Sequence, residues 1–340
     1  MRAILAQVLA AALLAWSGAC FAQDATLIEA AKKEGAVTWY TTLLAQQFAE
    51  PASVAFQRKY GFKPTVVSLP VDIALRISNE ANGGQYFVDV FDGTNTVAAL
   101  RRWDLTLKWQ PEIARTFPRE LADPEGYWTA VNLYPQTMGF NTDLVPKGTE
   151  PKSTQDLLDP RWRGRIAWSR NRTLSAGPGF VGAVLTSMGE QKGMEFLAAL
   201  SKQNVVSIGS GARQVLDLVI SGEHPIALQI FNYHAVISAA KGAPVAWGHV
   251  APSTVSASSV SVAKRAPHPN AAKLLAEFLV STEGQALFRD ADYVPANPAV
   301  PPRDPRLRPG PGAFDAVFMQ PEVMNEKMPE WARVFDALFK

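Results

Sequence analysis

The chain has 340 residues, 47% of them apolar and 19% charged, a soluble globular composition with room for two separate cores. Its net charge is only +2 and no run of five or six like charges occurs, which excludes a basic nucleic-acid surface and charged interaction tails. Cys20 is the single cysteine, so no intramolecular disulfide framework is available.

The first 22 residues read as a secretory signal peptide. Arg2 supplies the positive start, Ala3 to Trp16 is apolar apart from Gln7, and Ser17, Gly18, Ala19, Cys20 and Ala22 supply small residues around a cleavage site. The apolar stretch is short for a bilayer span. Ser17 stands where a lipoprotein signal prefers leucine, so cleavage near Ala22 is expected rather than acylation of Cys20. No second stretch of 18 or more apolar residues follows, and a soluble secreted protein is expected.

After the signal, helices and strands alternate. Ala25 to Glu34 is helical by spacing and stops at Gly35; Ala36 to Tyr40 reads as a strand. Gln46 to Tyr60 reads as a helix, with Pro51 moving its expected start toward that residue. Strands are expected at Thr65–Leu69 and Val88–Phe91, and helices at Ile73–Asn82 and Thr96–Trp103. Such alternation predicts a mostly parallel, doubly wound α/β sheet. Ligands of these sheets lie beyond the carboxyl ends of the strands, which singles out Tyr40, Thr41, Thr42, Asp92, Gly93, Thr94 and Asn95.

Two extended segments, Trp128–Val131 and Thr137–Phe140, flank Pro135. A second α/β unit follows. Its expected strands are Ile166–Trp168, Val205–Ile208 and Ile226–Ile230; its helices are Gly177–Met188, Gly193–Leu200, Arg213–Ser221 and Tyr233–Lys241. Val255–Val262 alternates as a strand does, and Asn270–Leu279 and Glu283–Phe288 are helical. A proline-rich stretch from Pro295 to Pro311 leads to two closing helices, around Phe314–Phe318 and Trp331–Phe339.

Catalytic motifs are absent. There is no nucleophile elbow, since Gly209-Ser210-Gly211 lacks the spacing, and no phosphate-binding loop or dinucleotide fingerprint. His224, His234, His249 and His268 do not pair at zinc-site spacing. Asp89 and Asp92, three apart, read as paired carboxylates or, more simply, with Asp92 as a helix N-cap. The expectation is a binder and not an enzyme. An extracytoplasmic enzyme or a sensor module without transport stays open as an alternative.

Six stretches in order resemble the ferric-iron branch of the periplasmic solute-binding proteins. They are Lys33-Glu34-Gly35 with Val37–Tyr40, Phe56–Gly61, Gly139–Asp143 with Pro151–Thr154 and Asp156–Ile166, Ser221–Glu223 leading into Ile226–Leu228, Ala276–Leu279 with Glu283–Gln285, and Tyr293–Pro298. The resemblance implies the two-lobed type 2 fold, each lobe a mostly parallel sheet flanked by helices and joined by crossover strands. It also implies a periplasmic location, a cleft that closes like a hinged clamp, and a permease and an ATPase of an ABC importer in the inner membrane as partners. Lobe 1 is expected at 23–130 with 252–300, and lobe 2 at 131–251 with 301–340. A monomer is expected, with no cofactor beyond ferric iron as a conceivable ligand.

In the iron-binding members, two adjacent tyrosines follow the strand equivalent to Ile226–Ile230. Here Phe231-Asn232-Tyr233-His234 stands there, so Tyr233 matches the first and His234 replaces the second. The members' other ligands, a histidine and a glutamate, fall at Thr41-Thr42-Leu43 and Asp92-Gly93-Thr94. Their anion-holding loop falls at Ser169–Gly177, where Thr173, Ser175 and Ala176 offer donors before a helix and Arg170 or Arg172 offers a guanidinium. Ser210 and Arg213 open another helix. On this reading the expected cargo is a small anion: an organic acid, a phosphonate or phosphate ester, or a metal–anion chelate. Ferric iron with Tyr233 as a ligand is the alternative. Read as structure alone, Tyr233 caps a core strand, His234 starts a helix and the arginines are solvated.

Overall fold

The computed structural model describes residues 25–69, 73–311 and 313–339. The expected signal segment, with Arg2 and Cys20, lies outside the described residues. No helix among the described residues is long and apolar enough to cross a membrane.

The chain is a mixed α/β structure on one sheet path, β2-β1-β3-β9-β4-β7-β5-β6. The first group is β1 (Thr38–Thr41), β2 (Thr65–Ser68) and β3 (Val90–Gly93). They are parallel, with β1 in the middle, and carry the helices α1 (25–34), α2 (Glu50–Tyr60), α3 (Ile73–Asn82) and α4 (Thr96–Arg102). The second group is β5 (Ile166–Ser169), β6 (Val206–Ile208) and β7 (Ile226–Phe231), also parallel with β5 in the middle. It carries α5 (Gly177–Met188), α6 (Glu190–Ser201), α7 (Ala212–Ile220) and α8 (Asn232–Ala240).

Two long strands join the groups. β4 (Thr129–Asn141) and β9 (Ser253–Val262) run antiparallel from Thr129↔Val260 to Gln136↔Thr254. β9 reaches into the first group through β3, and β4 reaches into the second through β7 and β8 (Val245–Gly248). After β9 come α9 (Pro269–Val280) and α10 (Thr282–Asp290), then β10 (Val294–Pro295), β11 (Ala316–Phe318) and α11 (Pro321–Leu338). Large apolar clusters lie on either side of the crossing strands. Trp39, Phe48, Phe56, Phe278 and Phe288 centre one; Trp162, Trp168, Phe180, Trp331 and Phe335 centre the other. Two lobes meeting at crossover strands are thus the observed architecture.

The departures from expectation have local causes. Pro135 does not divide β4. On that flank β10 covers Asn132 and Leu133, and β7 takes over at Gln136, so the proline falls in a gap where no ladder partner awaits its missing N–H. Pro51 sits in the first turn of α2, and a π-helical turn, Ala45–Ala49, precedes it. There Ala49 N–H reaches back to the Leu44 carbonyl at 3.2 Å, so the helical path begins at Ala45. β3 starts at Val90 rather than Val88, because the buried Asp89 carboxylate instead accepts the Thr38 N–H at 2.7 Å and the His268 N–H at 2.7 Å. The expected helix at Phe314–Phe318 is a strand, β11, lying parallel to β9.

α11 is far longer than expected, although Pro329 stands inside it. Packing holds it: the Trp331 and Phe335 rings lie against α5 where that helix has glycine. A Cβ built on Gly182 would come within 2.5 Å of the Trp331 ring, and one on Gly177 within 2.0 Å of Phe335. Gly182→Ala should therefore destabilise the protein by about 1–3 kcal/mol through overpacking, although alanine favours helix by roughly 1 kcal/mol. Urea unfolding measures this, and an unchanged or raised midpoint contradicts the close approach.

Candidate functional site

A cavity of about 790 Å³ opens where the carboxyl ends of β1 and β3 face the loop before α5 and the start of α8. The crossing strands form its floor through Tyr134, Gln136 and Ser256. Gln136 is fixed there, donating to the Ser256 hydroxyl at 3.1 Å and accepting from the Thr254 hydroxyl at 3.0 Å.

Three tyrosines from three elements meet in this cavity. Tyr134 lies on β4. β10 pairs with β4 through Val294↔Leu133 and Pro295↔Asn132, and the same register continued one residue sets Tyr293 across from Tyr134. Tyr233 is the second residue of α8, and its ring centroid lies 5.8 Å from that of Tyr293. Phe231 stacks on Tyr233 at 5.7 Å and tilts against Tyr134 at 5.4 Å, which braces the cluster. Burial pushes all three phenols above their ordinary range. The phenolates would also repel one another: Tyr134 and Tyr293 raise Tyr233 further, and Tyr293 raises Tyr134. At neutral pH the group is protonated unless a cation replaces the protons.

His234, beside Tyr233 at a ring distance of 4.5 Å, keeps its Nδ1 buried without a hydrogen-bond partner. Burial, and then the neighbouring Arg213 charge, lower its pKa to about 4, so it is a neutral imidazole at physiological pH. No charged side chain is among the described residues lining the cavity. The nearest fully buried carboxyl is Asp92, which accepts from Trp39 Nε1 at 2.8 Å, Thr42 N–H at 2.9 Å and the Thr42 hydroxyl at 2.8 Å. Burial raises its pKa, and the Thr41 hydroxyl together with these donors pulls it partly back. Asp92 also raises Tyr134 and Tyr293 electrostatically.

The residues singled out from the sequence divide. Thr42, Thr94, Asn95, Thr173, Ser175, Tyr233 and His234 line the cavity. Thr41 is buried, its hydroxyl accepting the Leu43 N–H at 3.0 Å, and Asp92 lies behind Thr42 rather than on the wall. Asp92 is not a helix N-cap either: Asn95 precedes α4. Nor does it pair with Asp89, whose carboxylate holds Thr38 and His268. Ala176, the N-cap of α5, is fully buried, and Asn232 is turned away to donate to the Leu307 carbonyl at 2.9 Å. Ser210 is exposed, and so is Arg170, which continues the β5–β6 ladder through its N–H to Ile208. Arg172 pairs with Asp336 on α11 at 3.0 Å, and Arg213 with Asp217 at 2.7 Å and the Ser238 hydroxyl at 3.0 Å. None of the three arginines lines the cavity.

The sequence reading missed Tyr134, Tyr293, Gln136, Ser256, Met324 and Asn325. Tyr134 neighbours the proline that seemed to break its strand, and Tyr293 lay within a stretch read only as a family signature. Nothing local in the sequence signals that these two face each other; the β4–β10 ladder does that.

A two-lobed α/β protein with an open cavity at its crossover strands has the type 2 periplasmic binding protein fold. The chain belongs to the bacterial extracellular solute-binding proteins, matching that family over residues 70–311. It is similar to Iron uptake protein A1 of Synechocystis sp., at 25% identity over 196 residues, and spans about half of that relative's length (54%). Among solved structures it shares its fold with iron-bound HitA from Pseudomonas aeruginosa, at 23% identity, a TM-score of 0.72, and coverage of 88% of this chain and 98% of that one. It likewise shares its fold with Trichodesmium IdiA (FutA) in complex with iron and citrate, at 17% identity, a TM-score of 0.75, and coverage of 89% and 99%.

The buried imidazole gives a pH test. Below its ordinary value of about 6.5 the unfolded His234 takes up a proton, while the folded one does not until about pH 4. Its contribution to stability therefore falls as pH drops from about 6.5 to about 4, by up to roughly 3 kcal/mol. His234→Gln should flatten that part of the curve. Unfolding free energies of wild type and variant at pH 7 and pH 5 measure it, and parallel curves contradict the burial of a neutral ring.

Proposed function

We propose that this protein is the solute-binding component of an ABC importer and that its cargo is ferric iron, bound through the phenolates of Tyr134, Tyr233 and Tyr293. The observation that carries the reading is the meeting of three tyrosines in a cavity with no charged lining. Ferric ion is a hard trivalent cation and phenolate oxygen is a hard anionic donor. Three phenolates neutralise one ferric ion, so loading the cleft leaves no net charge buried beyond what Asp92 already contributes. The raised phenol pKa values fit this exchange, because the empty site stays protonated and the metal displaces the protons. His234, neutral and with its Nδ1 unpartnered, is a candidate fourth donor. The iron named with HitA, with the Trichodesmium protein and with the Synechocystis relative points the same way.

A free anion is the weaker cargo. Burying one demands a cationic partner, and Arg172 and Arg213 are paired elsewhere, Arg170 is exposed outside the cavity lining, and Asp92 lies nearby. A metal–anion chelate is the second reading, favoured by one feature. Thr173 and Ser175 line the cavity immediately before α5, and a Cβ on Gly179 would come within 1.9 Å of the Leu174 carbonyl, so the loop lies close on the first turn of that helix. Hydroxyls and a helix start suit the anion of such a chelate.

Titration of the purified protein with ferric nitrilotriacetate tests the proposal. One equivalent should produce a visible phenolate-to-iron charge-transfer band. Tyr134→Phe, Tyr233→Phe and Tyr293→Phe should each weaken affinity by about 100-fold or more. Stabilisation by organic anions alone, with no band, would return the anion as cargo. Citrate added with iron distinguishes the chelate, since only then should Thr173→Val and Ser175→Ala lower affinity.

A further inference from the structure

The first turn of α11 crosses from one lobe to the other. The rest of that helix is anchored in the second lobe, where Trp331 and Phe335 pack on α5 and the Phe335 ring lies 5.4 Å from Trp168. Its first residues touch the first lobe instead. Glu322 accepts a hydrogen bond from the buried Trp128 Nε1 at 3.2 Å and lies 3.8 Å from Arg101 on α4. Gln320 donates to the Glu120 carbonyl at 3.1 Å. Arg101 is held for this contact: its guanidinium lies over the Tyr127 ring at 4.4 Å and pairs with Glu125 at 2.5 Å and Asp123 at 3.6 Å. Between the anchor and the contact stands Pro329. Having no N–H, it leaves the carbonyl of Asn325 without its helical partner and weakens α11 at that point. Met324 and Asn325, on the segment that crosses, line the cavity.

We propose that the first turn of α11 is an interlobe strap: Glu322, held by Trp128 and Arg101, is a positioning residue that fixes the lobes' separation and sets Met324 into the wall of the solute site. The strap acts with or without cargo. Its effect on affinity rests on the ferric reading; its effect on lobe separation does not.

The test uses nitroxide labels at Arg58→Cys on α2 and Lys192→Cys on α6, with Cys20 replaced by serine. Electron spin resonance then gives the interlobe distance in protein free of iron. Glu322→Ala should raise the share of long distances by roughly five-fold or more. Glu322→Gln, which keeps an acceptor for Trp128 but loses the charge, should fall between, and 1 M salt should move the wild type toward it. Met324→Ala should weaken binding of ferric nitrilotriacetate without altering the distances. Glu322→Ala distances equal to wild type, with circular dichroism showing an intact fold, would overturn the strap. If the distances shift but iron binds to none of the proteins, the strap stands and the ferric reading fails.

Discussion

Strands β4 and β9 lie antiparallel over seven residue pairs, and the sheet of each lobe is hydrogen-bonded to this ladder. Because β9 continues into β3 and β4 into β7, neither lobe can be completed without a strand that also serves the other. Every residue of β9 is buried, and it alternates serine or threonine with valine or alanine over much of its length. Small side chains let the two cores approach the ladder from both sides. The cavity follows from this arrangement. It lies where the carboxyl ends of the parallel strands face each other across the ladder, the usual place for a ligand in open α/β sheets.

The ladder also supplies the chemistry. Tyr134 rises from β4, β10 brings Tyr293 opposite it, and the end of β7 delivers Tyr233. Tyr134 is held by a strand that joins the lobes and Tyr233 by the helix that follows β7, with Phe231 packed against both. Charge is kept out of the wall. Arg172 is paired on the surface and Arg213 along α7, Arg170 is exposed, and Asp92 is buried behind Thr42 with donors to both of its oxygens. Such a wall resists a free anion and suits a cation that brings three protons out as it enters.

Much of the fold was legible in the sequence because apolar periodicity and helix stops act locally. α3 and α5 lie where their patterns and end signals put them, and the strand–helix alternation gave the parallel groups. The errors gather at prolines and at long-range pairing. Pro135 and Pro51 act as breakers in a local reading and Pro329 stands inside α11, yet each lies where the missing N–H costs little or where packing outweighs it. The site was half legible. Tyr233 and His234 follow a recognisable strand, and Thr173 and Ser175 precede a recognisable helix. Arg170 and Arg172 misled, since guanidinium groups in a loop before a helix look like an anion grip until Asp336 on the distant α11 claims one of them. Tyr134 and Tyr293 are 159 residues apart, and only the sheet register joins them.

Ferric binding at this site requires three phenols to give up their protons to one ferric ion. Calorimetric titration with ferric nitrilotriacetate in buffers of different ionisation enthalpy counts those protons directly. After correction for the protons taken up by the released chelator and by any hydroxide the iron carried, a net release of about three per iron bound is expected at neutral pH, one from each phenol. Binding with no net proton release would mean that the tyrosines stay protonated, and would contradict the account.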